Sequence, residues 1–102
     1  MAFEKAGYQV VETEEGTNAL KKVKEEKFDF IILDLMLPGI PGIEVLKKIK
    51  KSQEAPIYVL TNVGDEEVLK KAKKVGAKAY FLKVDYTPKQ LIAAIEEKES
   101  AD

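Results

Sequence analysis

The sequence predicts an α/β domain built on a parallel sheet with alternating helices. Short runs of apolar, β-branched and aromatic residues alternate with lysine- and glutamate-rich runs whose apolar residues recur at helical spacing. The connections between them are short, which favours right-handed strand-helix-strand crossovers. The segment Phe28 to Leu35 is almost continuously apolar, interrupted only by Asp29 and Asp34, as suits a strand buried on both faces.

Four strands and four helices follow in order. Tyr8 to Thr13 carries Tyr8, Val10, Val11 and Thr13 and reads as a first strand. Gly16 to Glu26 places Ala19, Leu20 and Val23 on one helical face. Phe28 to Leu35 is the second strand. Pro38, Gly39, Pro41 and Gly42 then break the chain, and Ile43, Leu46 and Ile49 mark the next helix. Pro56 to Thr61 is the third strand, with the proline at its first position. Asp65 suits the N-cap of a helix holding Val68, Leu69, Ala72 and Val75, and Gly76 ends it. Ala79 to Val84 is the fourth strand. Thr87-Pro88-Lys89-Gln90 supplies a cap, a proline at the first helical position and a capping-box glutamine. Leu91, Ile92 and Ile95 give that helix its buried stripe, and the polar run Glu96 to Asp102 is expected to fray.

Composition narrows the function. The chain has 102 residues, enough for one domain (1–102) and no second. A net charge of -1 gives no bulk argument for nucleic acid, membrane or an acidic substrate. Without cysteine there are no disulfides, zinc thiolate sites or thiol catalysis. Without histidine there is no imidazole ligand, general base or pH switch. No segment is apolar enough to span a bilayer, and no charged start precedes an apolar signal core, so the expectation is a cytoplasmic protein.

In open α/β sheets, ligands sit beyond the carboxyl ends of the strands. Three of the strands end in polar residues of unlike kinds: Asp34, Thr61 and Lys83. A carboxylate can act as nucleophile, while a hydroxyl and an ammonium hold the oxygens of a transferred phosphoryl group. Each residue alone has a plainer explanation as turn former, strand residue or solvated lysine. Together at one sheet edge they form a reasonable oxyanion site.

The segment Ile31-Ile32-Leu33-Asp34-Leu35-Met36-Leu37-Pro38-Gly39, followed by Gly42-Ile43-Glu44-Val45-Leu46, resembles the phosphorylation segment of bacterial response-regulator receiver domains. Leu60-Thr61 resembles the family's strand-end hydroxyl. Gly76 to Lys83 is similar to its final strand, and Ala6 to Val11 to the entry of its second strand. The resemblance implies a flavodoxin-like fold and a module of two-component phosphorelay signalling, regulatory and not an enzyme. It further implies that Asp34 accepts phosphoryl from a histidine kinase or phosphotransfer protein. Thr61 and Lys83 would hold phosphoryl oxygens, and Tyr80 would turn inward as a switch. Met36 would lend its backbone carbonyl, with Asp34, to a Mg2+ ion.

A receiver also has a first strand bearing adjacent acidic residues, and this sequence has no counterpart of that pair. Glu12 near the end of the Tyr8–Thr13 strand, with Glu14 and Glu15 just beyond it, reads as part of a solvated turn. The expectation is an N-terminally truncated receiver with weak Mg2+ binding and impaired phosphorylation. In the family's 2-1-3-4-5 strand order the missing strand is the central one. One sheet face would keep only the Leu91–Ile95 helix, and a bare apolar face normally becomes an interface. Self-association as a dimer is therefore expected, and a receiver-derived scaffold without phosphotransfer is the alternative function. A small enzyme using Asp34 and Lys83 would lack histidine, cysteine and a phosphate loop. Asn62 follows Thr61 where the family usually has a smaller residue, and Val84 replaces a common proline. Lysine pairs at Lys21-Lys22, Lys47-Lys48, Lys50-Lys51, Lys70-Lys71 and Lys73-Lys74 read as solvated helix faces balanced by glutamate, not as a nucleic-acid surface.

Overall fold

A computed structural model describes residues 7, 16–35, 41–61 and 66–100. Its elements are α1 (Gly16–Glu25), β1 (Ile31–Asp34), α2 (Gly42–Ser52), β2 (Ile57–Thr61), α3 (Glu66–Val75), β3 (Ala79–Leu82), a 3-10 turn (Lys83–Asp85) and α4 (Pro88–Ser100). The strands form a parallel sheet in the order β1-β2-β3. The expected first strand, Tyr8–Thr13, and the Asp65 cap lie outside the described residues.

Alternation along β2 builds two cores. Ile57 and Val59 face one side, where they pack with Leu33, Val45, Leu46 and Ile49 beneath α1, α2 and α3. Tyr58 faces the other, where Phe81 packs with Leu91, Ile92 and Ile95 of α4. Among the described residues, α4 is the one helix on that second face. Leu46 and Ile49 are essentially inaccessible, and truncating either to alanine should cost about 2–5 kcal/mol.

Local chemistry fixes the joints. Gln53, just beyond α2, donates from Nε2 to the carbonyls of Val23 and Glu26 at 3.0 and 3.1 Å. Its Oε1 accepts from the Phe28 amide at 3.1 Å. One side chain thereby satisfies three backbone groups where α1 leads to β1. Gly76 ends α3 with φ +131, in the positive region where a side chain is strained, and its amide bonds Ala72 and Lys73 carbonyls. Thr87 and Gln90 form the expected capping box, each side chain accepting from the other's amide at 3.2 and 2.9 Å.

Four expectations shift. The strand read as Phe28–Leu35 starts at Ile31, because the Phe28 amide is taken by Gln53 and the chain bends at Asp29. Nor is that strand fully enclosed: of β1 only Leu33 is fully buried, whereas β2 is buried along most of its length. The strand read as Ala79–Val84 ends at Leu82, and the 3-10 turn leaves Val84 exposed. The run after Ile95 does not fray at once. It continues α4 to Ser100, because Glu99 accepts hydrogen bonds from Tyr58 Oη and from Lys78 Nζ, the latter at 3.0 Å.

Candidate functional site

Parallel pairing brings the carboxyl ends of the strands to one edge. Asp34 closes β1 and stands in register with Leu60, the penultimate residue of β2. Thr61 closes β2 and is in register with Leu82, and Lys83 follows immediately. The Leu35 amide donates to the Leu60 carbonyl at 3.1 Å, carrying the ladder one residue past Asp34. Thr61 is 4 % exposed and is the one buried polar residue among those described.

Lys83 Nζ donates to Asp34 Oδ2 in an ion pair that is partly shielded from water. The 3-10 turn aims Lys83. It is closed by the Tyr86 amide reaching back to the Lys83 carbonyl, and Tyr86 packs edge-on against Phe81 at 5.0 Å. Asp34 is fixed from the other side of the sheet edge. A Cβ built on Gly42 would lie 2.7 Å from both Leu35 Cα and Leu35 O. Only a glycine lets the first turn of α2 close on the backbone directly after Asp34.

The structure thus brings Asp34 and Lys83 into contact and sets Thr61 at the same edge. Tyr80 stands on β3 three residues before Lys83 and is 41 % exposed. Met36, Asn62 and Glu12, Glu14 and Glu15 lie outside the described residues. Two positions went unread in the sequence, Gly42 beside the site and Gln53 at the opposite end of the sheet. Gly42 was legible only as a chain breaker, and Gln53 carried no local signal, because its partners lie 25 to 30 residues away.

A magnesium ion asks for a near-octahedral set of oxygen ligands, commonly one or two carboxylates with phosphate and water. Among the described residues no group of three or more acidic side chains could hold a metal ion. Asp34 supplies a carboxylate there, and Lys83 already donates to it. The described residues do not by themselves compose a magnesium site. Also among them, no helix is long and apolar enough to cross a membrane.

A parallel sheet with helices on both faces, and a carboxylate-ammonium pair at its carboxyl edge, defines a flavodoxin-like α/β domain. The model of the response regulator receiver domain family matches residues 1–96. The chain is 33 % identical over 96 residues to the transcriptional regulatory protein ResD of Bacillus subtilis, covering 94 % of this chain and 40 % of that protein. It is 35 % identical over 82 residues to sporulation initiation phosphotransferase F of the same organism, covering 79 % of this chain and 66 % of that one. A receiver domain of Methanospirillum hungatei superposes with a TM-score of 0.88 at 28 % identity, covering 95 % of this chain and 78 % of that one. A response regulator of Burkholderia pseudomallei, solved with a phosphorylated aspartic acid, a calcium ion and citrate, superposes at 0.81 with 27 % identity, covering 97 % and 62 %. The chain belongs to the response-regulator receiver family. It spans about two fifths of the length of ResD.

Proposed function

We propose that this receiver domain accepts a phosphoryl group on Asp34 from a histidine kinase or phosphotransfer protein in the cytoplasm. The observation that supports it is the Asp34–Lys83 ion pair at the carboxyl edge of the sheet. In the transfer, an Asp34 oxygen attacks phosphorus as the bond to the donor imidazole breaks. The imidazole leaves with the electron pair and an acyl phosphate remains. Lys83 neutralises the added charge, and the Thr61 hydroxyl donates to a phosphoryl oxygen. Tyr80 turns inward from its exposed position and carries the change to the surface.

Phosphoryl transfer is impaired in this chain, and its affinity for Mg2+ is low. The supporting observation is that no acidic cluster able to hold a metal stands among the described residues. The same observation favours a second reading, in which the domain is a self-associating scaffold. Phe30, Ile32 and Leu60 remain only partly buried on the sheet face where α4 is the one helix among the described residues, and a second copy would bury them.

Intact mass after incubation with a small phosphodonor, with and without magnesium and alongside Asp34→Ala, tests the proposal. A one-phosphoryl adduct lost in Asp34→Ala supports phosphotransfer. No adduct in a folded protein supports the scaffold. A compact monomer by light scattering at high protein concentration would refute self-association.

A further inference from the structure

The lysines of this chain are not balanced by glutamate where they stand. Residues 16–27, 42–54 and 66–76, the helices α1, α2 and α3 with their flanks, hold twelve lysines against six acidic residues. All twelve are exposed except the half-buried Lys22. The layer therefore carries a surplus of six positive charges on a chain whose net charge is -1.

The surplus is concentrated at one end. Both α2 and α3 return between parallel strands, so their last turns lie at the edge where the strands begin. Gln53 bonds the carbonyls of Val23 and Glu26, which puts the end of α1 beside the end of α2. The stem of Lys50 lies within 3 Å of a Cβ built on Gly76, which joins the ends of α2 and α3. Lys24, Lys51 and Lys74 thus stand at one edge, opposite the Asp34 end, where lysines outnumber Glu25, Glu26 and Glu54.

Lysines in a last turn complement the helix dipole, and this alone accounts for their placement. On those grounds α4 departs only in part, since its last turn also holds a lysine, Lys98. Its final turns carry Glu96, Glu97 and Glu99, where a carboxylate faces the negative end of the dipole. Tyr58 and Lys78 offset this at Glu99. Glu96 borders an open groove of about 280 Å³, lined also by Asp29, Phe30, Glu99 and Ser100. Because Glu99 is bound to Tyr58 near the start of β2, this acidic groove lies at the same end as the lysine edge, on the opposite face of the sheet.

We infer that the lysine edge docks onto the acidic groove of a second copy in a two-fold dimer made end to end. A two-fold axis through an end that is basic on one face and acidic on the other makes the contact twice and closes the assembly at two. The inference rests on the self-association reading above and names the surfaces and the electrostatic character of the contact.

Sedimentation or light scattering of the whole chain tests it with Asp29→Lys/Glu96→Lys, Lys24→Glu/Lys51→Glu, and their equimolar mixture. Each double variant alone should dimerise at least about tenfold more weakly, and the mixture should recover the wild-type affinity as a heterodimer. Wild-type association should also fall on going to about 1 M salt, where the Debye length is roughly 3 Å. Circular dichroism melting separates misfolding from lost contact, and Glu96→Lys relieves the dipole conflict and should not lower the melting temperature. A dimer that resists salt and both reversals would overturn this inference and leave the apolar-face reading standing. A monomer under every condition would remove both.

Discussion

Lys83 donates to Asp34 across the width of the sheet, from the turn after β3 to the last residue of β1, with β2 between them. Neither residue is fully buried: the side chains are 34 % and 27 % exposed. Such a pair contributes about 0.2–1 kcal/mol to stability. Its place at the edge therefore owes little to folding and suits the proposed phosphoryl site. Lys83→Met should shift the urea midpoint by less than about 1 kcal/mol of stability, while lowering phosphoryl accumulation on Asp34 at least about tenfold. A large loss of stability with unchanged phosphorylation would reverse that assignment.

The close approach of Gly42 to Leu35 makes a sharper structural prediction. A Cβ at Gly42 would meet backbone atoms, which cannot rotate aside as a side-chain tip would. Gly42→Ala should cost about 1–3 kcal/mol in urea unfolding. Because the displaced backbone follows Asp34 directly, phosphorylation should fall as well. A variant as stable as wild type would show that the α2 entry can shift without cost.

Gln53 is expected to behave like a core residue despite its polarity. Gln53→Ala leaves two carbonyls of the α1 end and the Phe28 amide without their partner, and a lost bond at a shielded group costs about 1–3 kcal/mol. Gln53→Glu keeps the acceptor for Phe28 but sets a carboxylate against two carbonyls, so it should not rescue. Thermal melting of both variants checks this.

Most of the architecture was legible because it rests on local signals. The Thr87–Gln90 capping box, the Gly76 stop and the apolar stripe of Leu91, Ile92 and Ile95 each depend on residues a few positions apart. Asp34, Thr61 and Lys83 were legible because parallel pairing must gather strand ends. What stayed hidden depends on partners far along the chain. Phe28–Leu35 reads as a strand buried on both faces from hydropathy alone, yet it starts only at Ile31 and only Leu33 of it is fully buried. The tail after Ile95 reads as polar and loose, yet it is held by Tyr58, 41 residues from Glu99.

The Tyr58–Glu99–Lys78 cluster predicts a specific pH dependence. Burial alone would raise the Glu99 carboxyl, but the hydrogen bonds from Tyr58 and Lys78, with the Lys78 charge, outweigh it and hold the group below its ordinary 4.5. Tyr58 moves the other way: burial first, then its bond to Glu99 and that residue's charge, push its hydroxyl well above the ordinary 10.0. For a carboxyl lowered in the folded state, the unfolded chain binds more protons through this range, so stability rises with pH. The contribution of Glu99 is thus complete above about pH 4.5 and is lost as pH falls through the lower folded value. For Tyr58 the contribution is complete below about pH 10 and is lost as pH rises beyond it. Melting curves between pH 3 and pH 7 should show a steeper acid-side decline for wild type than for Glu99→Gln. Tyr58→Phe should lessen the acid-side decline in part, since the Lys78 bond to Glu99 remains, and should flatten the alkaline side. Identical acid limbs in wild type and Glu99→Gln would mean that Glu99 does not anchor the end of α4.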